Sequence, residues 1–507
     1  MRNGTVTVDP ASQVADVDPR LYGSFVEHMG RCVYEGIYEP GHETADEAGF
    51  RRDVADLVRE LDVPVLRYPG GNFVSAYNWR DGIGPRDQRP RRLDLAWRSL
   101  ESNQVGVDEF VPWCRTVGSE PMMAVNLGTA GVDEARDLVE YCNIASGTAS
   151  SDLRRHNGAA DPYGIKLWCL GNEMDGPWQI GHKSATDYAL LALSAGRAMK
   201  RVDPSIELVA CGSSNPGMPT FGTWERTILE HTYDLVDYIS MHIYYEERDD
   251  DRASFLACAM DLDRFIEGVV ATADHVRAVG HHKKRINISL DEWNVWYQQR
   301  FVSEEKLEIL ERPHLIEDQY NVADAVVVGN LLISMLRHAD RVRIGCLAQL
   351  VNVIAPIRTD ANGAAWKQTT FHPFALTSRH GRGNVIRAEI QSPVNDTTWF
   401  GDTPVLDAAA TQNERGEVTL FAVNRDESEP LALSVDLRAL SDLVVGEHTA
   451  VYDSDPDATN TSAEPDRVVP QRLEDVKIVD GHVEAVLPAM SWNMIRFVSQ
   501  SSGNAGS

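Results

Sequence analysis

The sequence predicts a (β/α)8 TIM barrel of parallel strands, followed by a small, jelly-roll-like antiparallel β-sandwich. Between residues 21 and 348, short apolar runs alternate about eight times with segments of helical periodicity. Alternation of this kind indicates parallel strands with crossover helices, and eight repeats indicate a closed barrel. Past Pro373 the helical periodicity disappears and short alternating strands take over, which is typical of a sandwich.

A doubly wound open sheet is the main alternative, because spacing along the chain does not show whether a sheet closes. An open sheet that binds dinucleotides would carry GxGxxG directly after its first strand. No GxGxxG follows the first predicted strand, and the sequence contains no GxxxxGK[S/T] loop. The closed barrel is therefore the favoured interpretation.

The elements of the barrel follow from where the apolar runs begin and end. Strands are predicted at residues 21–26, 63–66, 121–125, 165–170, 206–211, 238–241, 286–290 and 344–348. Helices are predicted between them at residues 50–61, 109–117, 135–144, 188–202, 224–235, 255–279 and 320–338. In this order, the fourth strand leads to Glu173 and the seventh leads to Glu292.

The ends of the chain differ from the barrel in pattern. Residues 5–8 alternate as a strand before Asp9-Pro10, a turn signal, and this strand is expected to pair with the sandwich. Sandwich strands are predicted at residues 417–424, 430–436, 448–452, 477–478, 483–487 and 494–498. The predicted division is an N-terminal strand in residues 1–17, a barrel in 18–375, a sandwich in 376–499 and a disordered polar tail in 500–507.

Charge and composition exclude several kinds of partner. The net charge is −28, whereas nucleic acids and anionic membranes both require a basic surface, so neither is expected to bind. The N-terminus, MRNGTVTVDP, lacks the apolar segment of a secretion signal, and no stretch reaches membrane-spanning length. A cytoplasmic protein is therefore expected. The seven cysteines form no CxxC pair and no zinc-ligand spacing, so we expect reduced cysteines, no metal and no cofactor.

Polar side chains collect at the predicted C-terminal ends of the barrel strands, where barrel enzymes carry their chemistry. These strand-end residues are Glu27, Arg67, Asn72, Asn126, Asn172, Glu173, His242, Tyr244, Glu292 and Gln349. Each alone has a structural explanation, such as a solvated loop start for Glu27 or a core histidine for His242. Taken together, all of them stand at the C-terminal end of a predicted strand, and all are residue types that bind hydroxyl groups or transfer protons. The set therefore predicts a common site.

Two carboxylates on different strands, Glu173 and Glu292, suit the cleavage of a glycosidic bond. One of them, held protonated, would give its proton to the leaving oxygen, while the other attacks the anomeric carbon or activates water. The surrounding amide, tyrosine and arginine side chains match a polyol. Trp178, Trp293 and Trp296 would offer apolar faces to sugar C–H groups, although core packing explains Trp293 almost equally well.

Six ordered segments together resemble family 51 of the glycoside hydrolases, the retaining α-L-arabinofuranosidases of clan A. They are LYGSFVEHMG (21–30), VLRYPGGNF (65–73), CLGNEMDGPW (169–178), HIYY (242–245), LDEWNVW (290–296) and AQLVNVIAP (348–356). The likeness covers the whole barrel and, more weakly, the sandwich. In clan A, the acid/base and the nucleophile stand at the ends of strands four and seven, which the independent strand count assigns to Glu173 and Glu292.

The resemblance implies an exo-acting enzyme that removes terminal non-reducing α-L-arabinofuranosyl residues from oligosaccharides derived from arabinan or arabinoxylan. It would act by double displacement through a covalent glycosyl-enzyme, with Glu173 as general acid/base and Glu292 as nucleophile. Substrate binding is implied for Glu27, Asn72, Asn172, Tyr244, Gln349, Trp178 and Trp296, and supporting roles for Arg67 and His242. A homo-oligomer, commonly a hexamer, is also implied.

Three alternatives stay open on the sequence alone. A β-xylosidase or endo-glucanase of clan A would use the same two glutamates, because only the shape of the sugar subsites differs. A non-catalytic carbohydrate-binding barrel would be expected to lack one carboxylate, whereas both are present. A metal-dependent barrel hydrolase or isomerase would need His and Asp ligands at several strand ends, which here carry mostly amides and glutamates. The charged loop at 246–252 (EERDDDR) is either a wall of the site or a solvated surface.

Overall fold

The computed structural model describes residues 1–440, 443–474, 476–479 and 481–499, and the predicted tail lies outside them. The strands of the first 370 residues are β1 (Arg2–Asp16), β2 (Gly23–Phe25), β3 (Val65–Tyr68), β4 (Arg92–Leu93), β5 (Leu100–Glu101), β6 (Glu120–Val125), β7 (Leu167–Leu170), β8 (Glu207–Ala210), β9 (Tyr238–Tyr245), β10 (Asn287–Val295), β11 (Val342–Leu347), β12 (Ile357–Thr359) and β13 (Ala365–Lys367). The helices are α1 (Arg52–Leu61), α2 (Val107–Val117), α3 (Val132–Asn143), α4 (Ala149–His156), α5 (Ala185–Val202), α6 (Thr223–Thr232), α7 (Arg252–Leu256), α8 (Ala259–Gly280), α9 (Val322–Arg337) and α10 (Phe371–His380).

Eight parallel strands close into a barrel in the order β10-β11-β2-β3-β6-β7-β8-β9. This closure confirms the predicted barrel and excludes the open sheet. Gly23 allows β2 to lie close to its neighbours β11 and β3. A Cβ at this position would lie 2.8 Å from the carbonyl oxygen of Gly345 and 2.6 Å from the Val65 side chain. The strand count is also confirmed: β7, which precedes Glu173, is the fourth barrel strand, and β10, which contains Glu292, is the seventh.

Helix α9 joins the barrel to the rest of the chain. Its side chains from Val322 to Leu336 are all buried, because it packs against the barrel strand β10 and also against strands of the C-terminal sheet. A helix covered on all sides can be apolar all round, as VADAVVVGNLLISML is. Among the described residues, no helix combines the length and the apolar character that crossing a membrane requires.

The C-terminal part forms a separate, mainly antiparallel sheet domain, which confirms that part of the predicted fold class. Its strands are β14 (Asn384–Gln391), β15 (Val394–Thr397), β16 (Gly401–Pro404), β17 (Leu406–Gln412), β18 (Val418–Asn424), β19 (Leu431–Asp436), β20 (Leu443–Val451), β21 (Gln471–Arg472), β22 (Lys477–Val479), β23 (His482–Leu487) and β24 (Ser491–Ser499). Ten strands pair in the order β21-β20-β24-β18-β17-β14-β1-β19-β23-β22. Side chains from both halves of this series share one core, which includes Val8, Leu420, Leu433 and Phe497.

The N-terminal strand departs from its prediction in length. The turn predicted at Asp9-Pro10 is wrong, because β1 continues through it to Asp16. The extra residues form an irregularity in the pairing, where the register moves from Asp9 opposite Arg387 to Gln13 opposite Ile386. A proline is tolerated at such a bulge because it needs no ladder hydrogen bond there. The strand lies between β14 and β19 and pairs in parallel with β19.

The transition to the sheet domain also differs from the sequence pattern. The boundary predicted at 375/376 falls inside α10. The prediction that helical structure ends at Pro373 is wrong, because α10 continues to His380. Pro373 is the third residue of this helix, where a backbone N–H would have no intrahelical partner. Strand β17 was missed because its LDAAATQ sequence is rich in alanine, which has little preference for strands.

Candidate active site

A cavity of about 730 Å³ opens at the C-terminal end of the barrel. Eight residues singled out in the sequence line it: Glu27, Asn72, Glu173, Trp178, Tyr244, Glu292, Trp296 and Gln349. The buried side chains of Arg67, Asn172 and His242 lie behind this wall and contact its carboxylates or amides. The structure therefore brings together the acidic, amide and aromatic groups that the strand ends predicted.

Glu173 lies just beyond β7, on backbone that few side chains adopt. Gly171 has a φ of 94° and Glu173 a φ of 44°, a left-handed conformation that is uncommon for a residue with a side chain. Trp178 Nε1 donates to Glu173 Oε2 over 2.7 Å, and His242 Nδ1 lies 3.0 Å from Oε1. Burial raises the pKa of Glu173, and the nearby charge of Glu292 adds to the rise, although the two donors oppose it.

Glu292 stands inside β10 rather than after it, because β9 and β10 are both longer than predicted. They pair as far as Val295 opposite Tyr245, with a register shift before Glu292. Arg67 Nη1 donates to Glu292 Oε1 over 2.9 Å, and the Tyr244 hydroxyl donates to Oε2 over 2.8 Å. Each oxygen of this carboxylate is thus held by one donor.

Asp291 is a buried acid that the sequence analysis did not single out, although it stands next to Glu292. Its Oδ1 lies 3.0 Å from His242 Nε2, and its Oδ2 lies 3.5 Å from Arg67 Nε. Burial alone would raise the pKa of Asp291, but the charges of Arg67 and His242 lower it below its ordinary value. Burial would lower the pKa of His242, but the facing carboxylates, Glu292 above all, raise it to about 10.

The two glutamates are close together. One oxygen of Glu173, one oxygen of Glu292 and a ring nitrogen of His242 all lie within 4.8 Å of one another. Retaining glycosidases place their carboxyl groups about 5–5.5 Å apart, whereas inverting enzymes leave roughly 6.5–9.5 Å for a water molecule. The three groups also have the separation of a metal site. Both ring nitrogens of His242 are already in contact with carboxylate oxygens, however, Nδ1 with Glu173 and Nε2 with Asp291, each at 3.0 Å.

Glu27 also lines the cavity and lies among hydrogen-bond donors. Its Oε1 accepts from Trp97 Nε1 over 2.7 Å and from the backbone N–H of Phe73 over 3.0 Å. Its Oε2 accepts from Gln349 Nε2 over 2.9 Å. Burial raises the pKa of Glu27 to about 8 despite these donors. The Oε1 atom of Gln349 is buried without a hydrogen-bond partner, which leaves an acceptor in the cavity wall.

Asn172 lies between Asn72 and the arginine that holds Glu292. Its Oδ1 accepts from Arg67 Nη2 over 2.7 Å, and its Nδ2 donates to Asn72 Oδ1 over 3.3 Å. Because Arg67 also donates to Glu292, one guanidinium orients both a carboxylate and an amide.

Two residues from the sequence analysis lie elsewhere. Asn126 does not line this cavity, because its side chain caps a turn: Oδ1 accepts from the backbone N–H groups of Gly128 and Thr129, and Nδ2 donates to the carbonyl of Tyr77. Trp293 is fully buried and stacks on Phe374 with ring centroids 6.4 Å apart, as the core-packing interpretation required.

Several lining residues were missed. They come from the segment around β4 and β5, the loop after β9, the chain after β10 and the C-terminal sheet domain: Trp97, Glu246, Arg248, Phe301, Trp399 and Phe400. The aromatic residues stand outside the barrel-strand pattern, so no sequence signal placed them here. In the charged loop at 246–252, Glu246 and Arg248 line the cavity, so this part of the loop is a wall of the site.

Comparisons with known proteins agree on one family. Residues 57–261 match the "Alpha-L-arabinofuranosidase 1 domain", and residues 291–491 match the "Alpha-L-arabinofuranosidase C-terminal domain". A Streptomyces lividans protein named intracellular exo-α-(1→5)-L-arabinofuranosidase is 56% identical over 99% of this chain and 76% of its own length. A Bacillus subtilis protein of the same description is 53% identical over 99% of this chain and 100% of its own. A solved structure of AbfB, a family 51 α-L-arabinofuranosidase from Bifidobacterium longum, has a TM-score of 0.94 at 48% identity, covering 98% of this chain and 100% of its own.

The raised pKa of His242 has a consequence for stability. A histidine with a folded pKa of about 10 against an ordinary 6.5 contributes stability that is fully present below pH 6.5 and is lost as the pH rises towards 10. The loss in free energy of unfolding caused by His242→Gln should therefore be larger at about pH 6 than near pH 10. Denaturant unfolding at both pH values measures it, with His231→Gln on the exposed side of α6 as the control. An equal loss at both pH values would contradict a charged His242.

Proposed function

The chain belongs to the α-L-arabinofuranosidases of glycoside hydrolase family 51, and we propose that Glu173 and Glu292 are its acid/base and nucleophile. The enzyme hydrolyses terminal non-reducing α-L-arabinofuranosyl residues with retention, through a covalent glycosyl-enzyme. The observation that supports the two roles is the approach of both carboxylates to within 4.8 Å, in different surroundings. Glu292 is held by a cation and a phenol, whereas burial favours the protonated form of Glu173.

In the first step, a Glu292 oxygen attacks the anomeric carbon while the bond to the leaving oxygen breaks. Glu173 transfers its proton to that oxygen, so the leaving group departs as a neutral alcohol. Arg67 and Tyr244 hold the attacking carboxylate in one orientation, which removes the need to order it during the reaction. The product of this step is an arabinofuranosyl ester of Glu292.

In the second step, Glu173 acts as a base. It takes a proton from water, whose oxygen attacks the anomeric carbon and displaces Glu292 as a carboxylate. The proximity of His242 favours the ionised form of Glu173 at this stage, because a protonated imidazole donates to it. Trp178 supports the same form through its indole N–H.

The remaining polar wall binds the arabinofuranosyl ring. Glu27, Asn72 and Gln349 present carboxyl and amide groups around the space in front of Glu292, as a ring of hydroxyl groups requires, and Asn172 lies behind them and donates to Asn72. The free Oε1 of Gln349 can accept a hydrogen bond from a sugar hydroxyl. Trp296 packs edge-on against Tyr244 at 5.2 Å and forms an apolar part of the same wall.

The substrates contain arabinofuranosyl groups, and the names of the relatives support α-(1→5)-linked arabino-oligosaccharides. The same names describe intracellular proteins, which supports a cytoplasmic enzyme that acts on short, imported oligosaccharides. They also favour this activity over a β-xylosidase or an endo-glucanase. Release of arabinose from α-(1→5)-arabinobiose, compared with an aryl xyloside and a β-glucan, tests the assignment directly.

The assembly proposed for the protein is a homo-oligomer, with six subunits implied by the family resemblance. One chain has a mass of 56.3 kDa, so light scattering of the full chain should give a small integral multiple of this value, six for a hexamer. A mass equal to one chain at assay concentration would contradict the proposal.

Replacement of the nucleophile should stop the reaction at its first step. Glu292→Ala should lower kcat/KM by at least about 10⁴-fold on every arabinofuranoside, because no covalent intermediate can form. Thermal unfolding should show that the variant is folded, and Glu225→Ala, a buried glutamate on α6, is the matched control for loss of a buried carboxyl group. Substantial activity of Glu292→Ala with unchanged stereochemistry would exclude the assigned role.

Replacement of the acid should discriminate between leaving groups. Glu173→Ala should lower the rate of glycosyl-enzyme formation from arabino-oligosaccharides by about 10²–10⁴-fold, whereas a 2,4-dinitrophenyl arabinofuranoside needs no protonation and should react nearly as in the wild type. Burst kinetics measure that step apart from hydrolysis of the intermediate. If both substrates lose the same factor, Glu173 is not the acid.

A further inference from the structure

We propose that the β15–β16 hairpin of the C-terminal sheet domain forms part of the subsite for the leaving sugar, with Trp399 as its stacking face. This inference rests on the proposed function of Glu173 and Glu292. Trp399 and Phe400 at the hairpin tip line the same cavity as the two glutamates. The specificity of the barrel for its leaving group thus depends on a residue outside the barrel.

The order of strands in the barrel separates the two ends of the substrate. The groups assigned to the arabinofuranosyl ring, Gln349, Glu27 and Asn72, follow β11, β2 and β3, which are neighbours in the closed barrel. The strands diametrically opposite in the eight-stranded order are β7, β8 and β9. Glu173, which gives its proton to the leaving oxygen, follows β7. The leaving sugar should therefore extend towards the loops after β7, β8 and β9.

The hairpin is docked on that side. Helices α7 and α8 follow β9, and the backbone N–H of Trp399 donates to the Ser254 hydroxyl of α7 over 3.1 Å. The guanidinium of Arg264 on α8 lies 5.7 Å from the ring centroid of Phe400. Within the turn, the Thr397 hydroxyl accepts from the backbone N–H of Phe400 over 3.3 Å. The tip is thus fixed to the barrel and ordered internally.

Trp399 has the exposure that a sugar-binding aromatic residue needs. It is 38% exposed although it is anchored through its backbone, whereas Trp293 and Trp492 are fully buried in cores. Trp178 is 44% exposed and lines the same cavity beside Glu173. An exposed indole presents an apolar face to the cavity. A sugar ring that covers this face with its C–H groups stabilises the complex. Pockets of about 300 Å³ already hold small ligands, so a cavity of about 730 Å³ has room for a second sugar.

The charged loop after β9 supplies polar groups to the same space. Glu246 is buried, accepts from the backbone N–H of Gln299 over 3.2 Å, and lies 3.1 Å from Arg248 Nε. The Arg248 side chain is half exposed and lines the cavity, so its remaining N–H groups can donate to hydroxyls of the leaving sugar. An aromatic face beside hydroxyl-binding groups fits a neutral sugar.

The test compares substrates that differ only in the leaving group. Trp399→Ala should lower kcat/KM for α-(1→5)-arabinotriose by about three- to tenfold, because the variant loses the apolar face that the leaving sugar covers. Hydrolysis of methyl α-L-arabinofuranoside, whose leaving group is too small to reach the hairpin, should keep its wild-type rate. Trp399→Phe retains a ring and should lose less than Trp399→Ala. Val394→Ala, an exposed change at the base of the same hairpin, is the matched control.

The outcomes separate this inference from the function on which it rests. If the wild type releases no arabinose from arabinotriose, the proposed function fails. If Trp399→Ala slows both substrates by the same factor, the residue stabilises the fold and does not bind the leaving sugar. If neither rate changes, the hairpin is not part of the subsite. Thermal unfolding of each variant shows whether the sheet domain remains folded.

Discussion

The arrangement of the site depends on the contacts of one buried residue, Arg67. Its guanidinium is fully buried, donates to Glu292 and Asn172, and lies 3.5 Å from Asp291. A buried cation is costly unless it is paired, and two carboxylates provide that pairing here. Because Arg67 belongs to β3 while its partners belong to β10 and to the chain after β7, a single side chain fixes three parts of the barrel relative to one another.

A second buried network fixes the sheet domain to the barrel. Arg425 of the sheet domain donates to Asn330 of α9 and to Asp407 of β17. Asp407 also accepts from Arg337, at the end of α9. Since α9 packs against the barrel as well, and Arg425 also donates to the carbonyl of Pro404 in β16, these bonds connect the β15–β16 hairpin to the barrel. A subsite built from two domains needs this rigidity, because a small displacement of a contact group weakens binding.

The sequence was sufficient for the barrel and for most of the site, and the reasons are physical. Parallel strands are buried on both faces, so LWCL of β7 stands out as an apolar run that ends where Asn172 and Glu173 begin. Polar residues that follow such runs converge on one face of a barrel. Asn126 obeyed the same pattern but caps a turn, because an amide at a strand end can satisfy backbone groups equally well. No sequence pattern indicated that Trp399 lines the cavity, since only tertiary packing brings its hairpin there.

The charges around Arg67 also suit both halves of the proposed catalytic cycle. Before its first step, the cations Arg67 and His242 would be balanced by Asp291 and by the attacking carboxylate of Glu292, while Glu173 would carry a proton. In the proposed glycosyl-enzyme, Glu292 would be a neutral ester and Glu173 would be ionised, so the same two cations would again face two anions. The facing carboxylates raise the pKa of His242 to about 10, and Asp291 remains beside its Nε2 in both states, while burial raises the pKa of Glu27 to about 8. A buried site tolerates net charge poorly, so an arrangement that remains neutral in both states avoids stabilising one at the expense of the other.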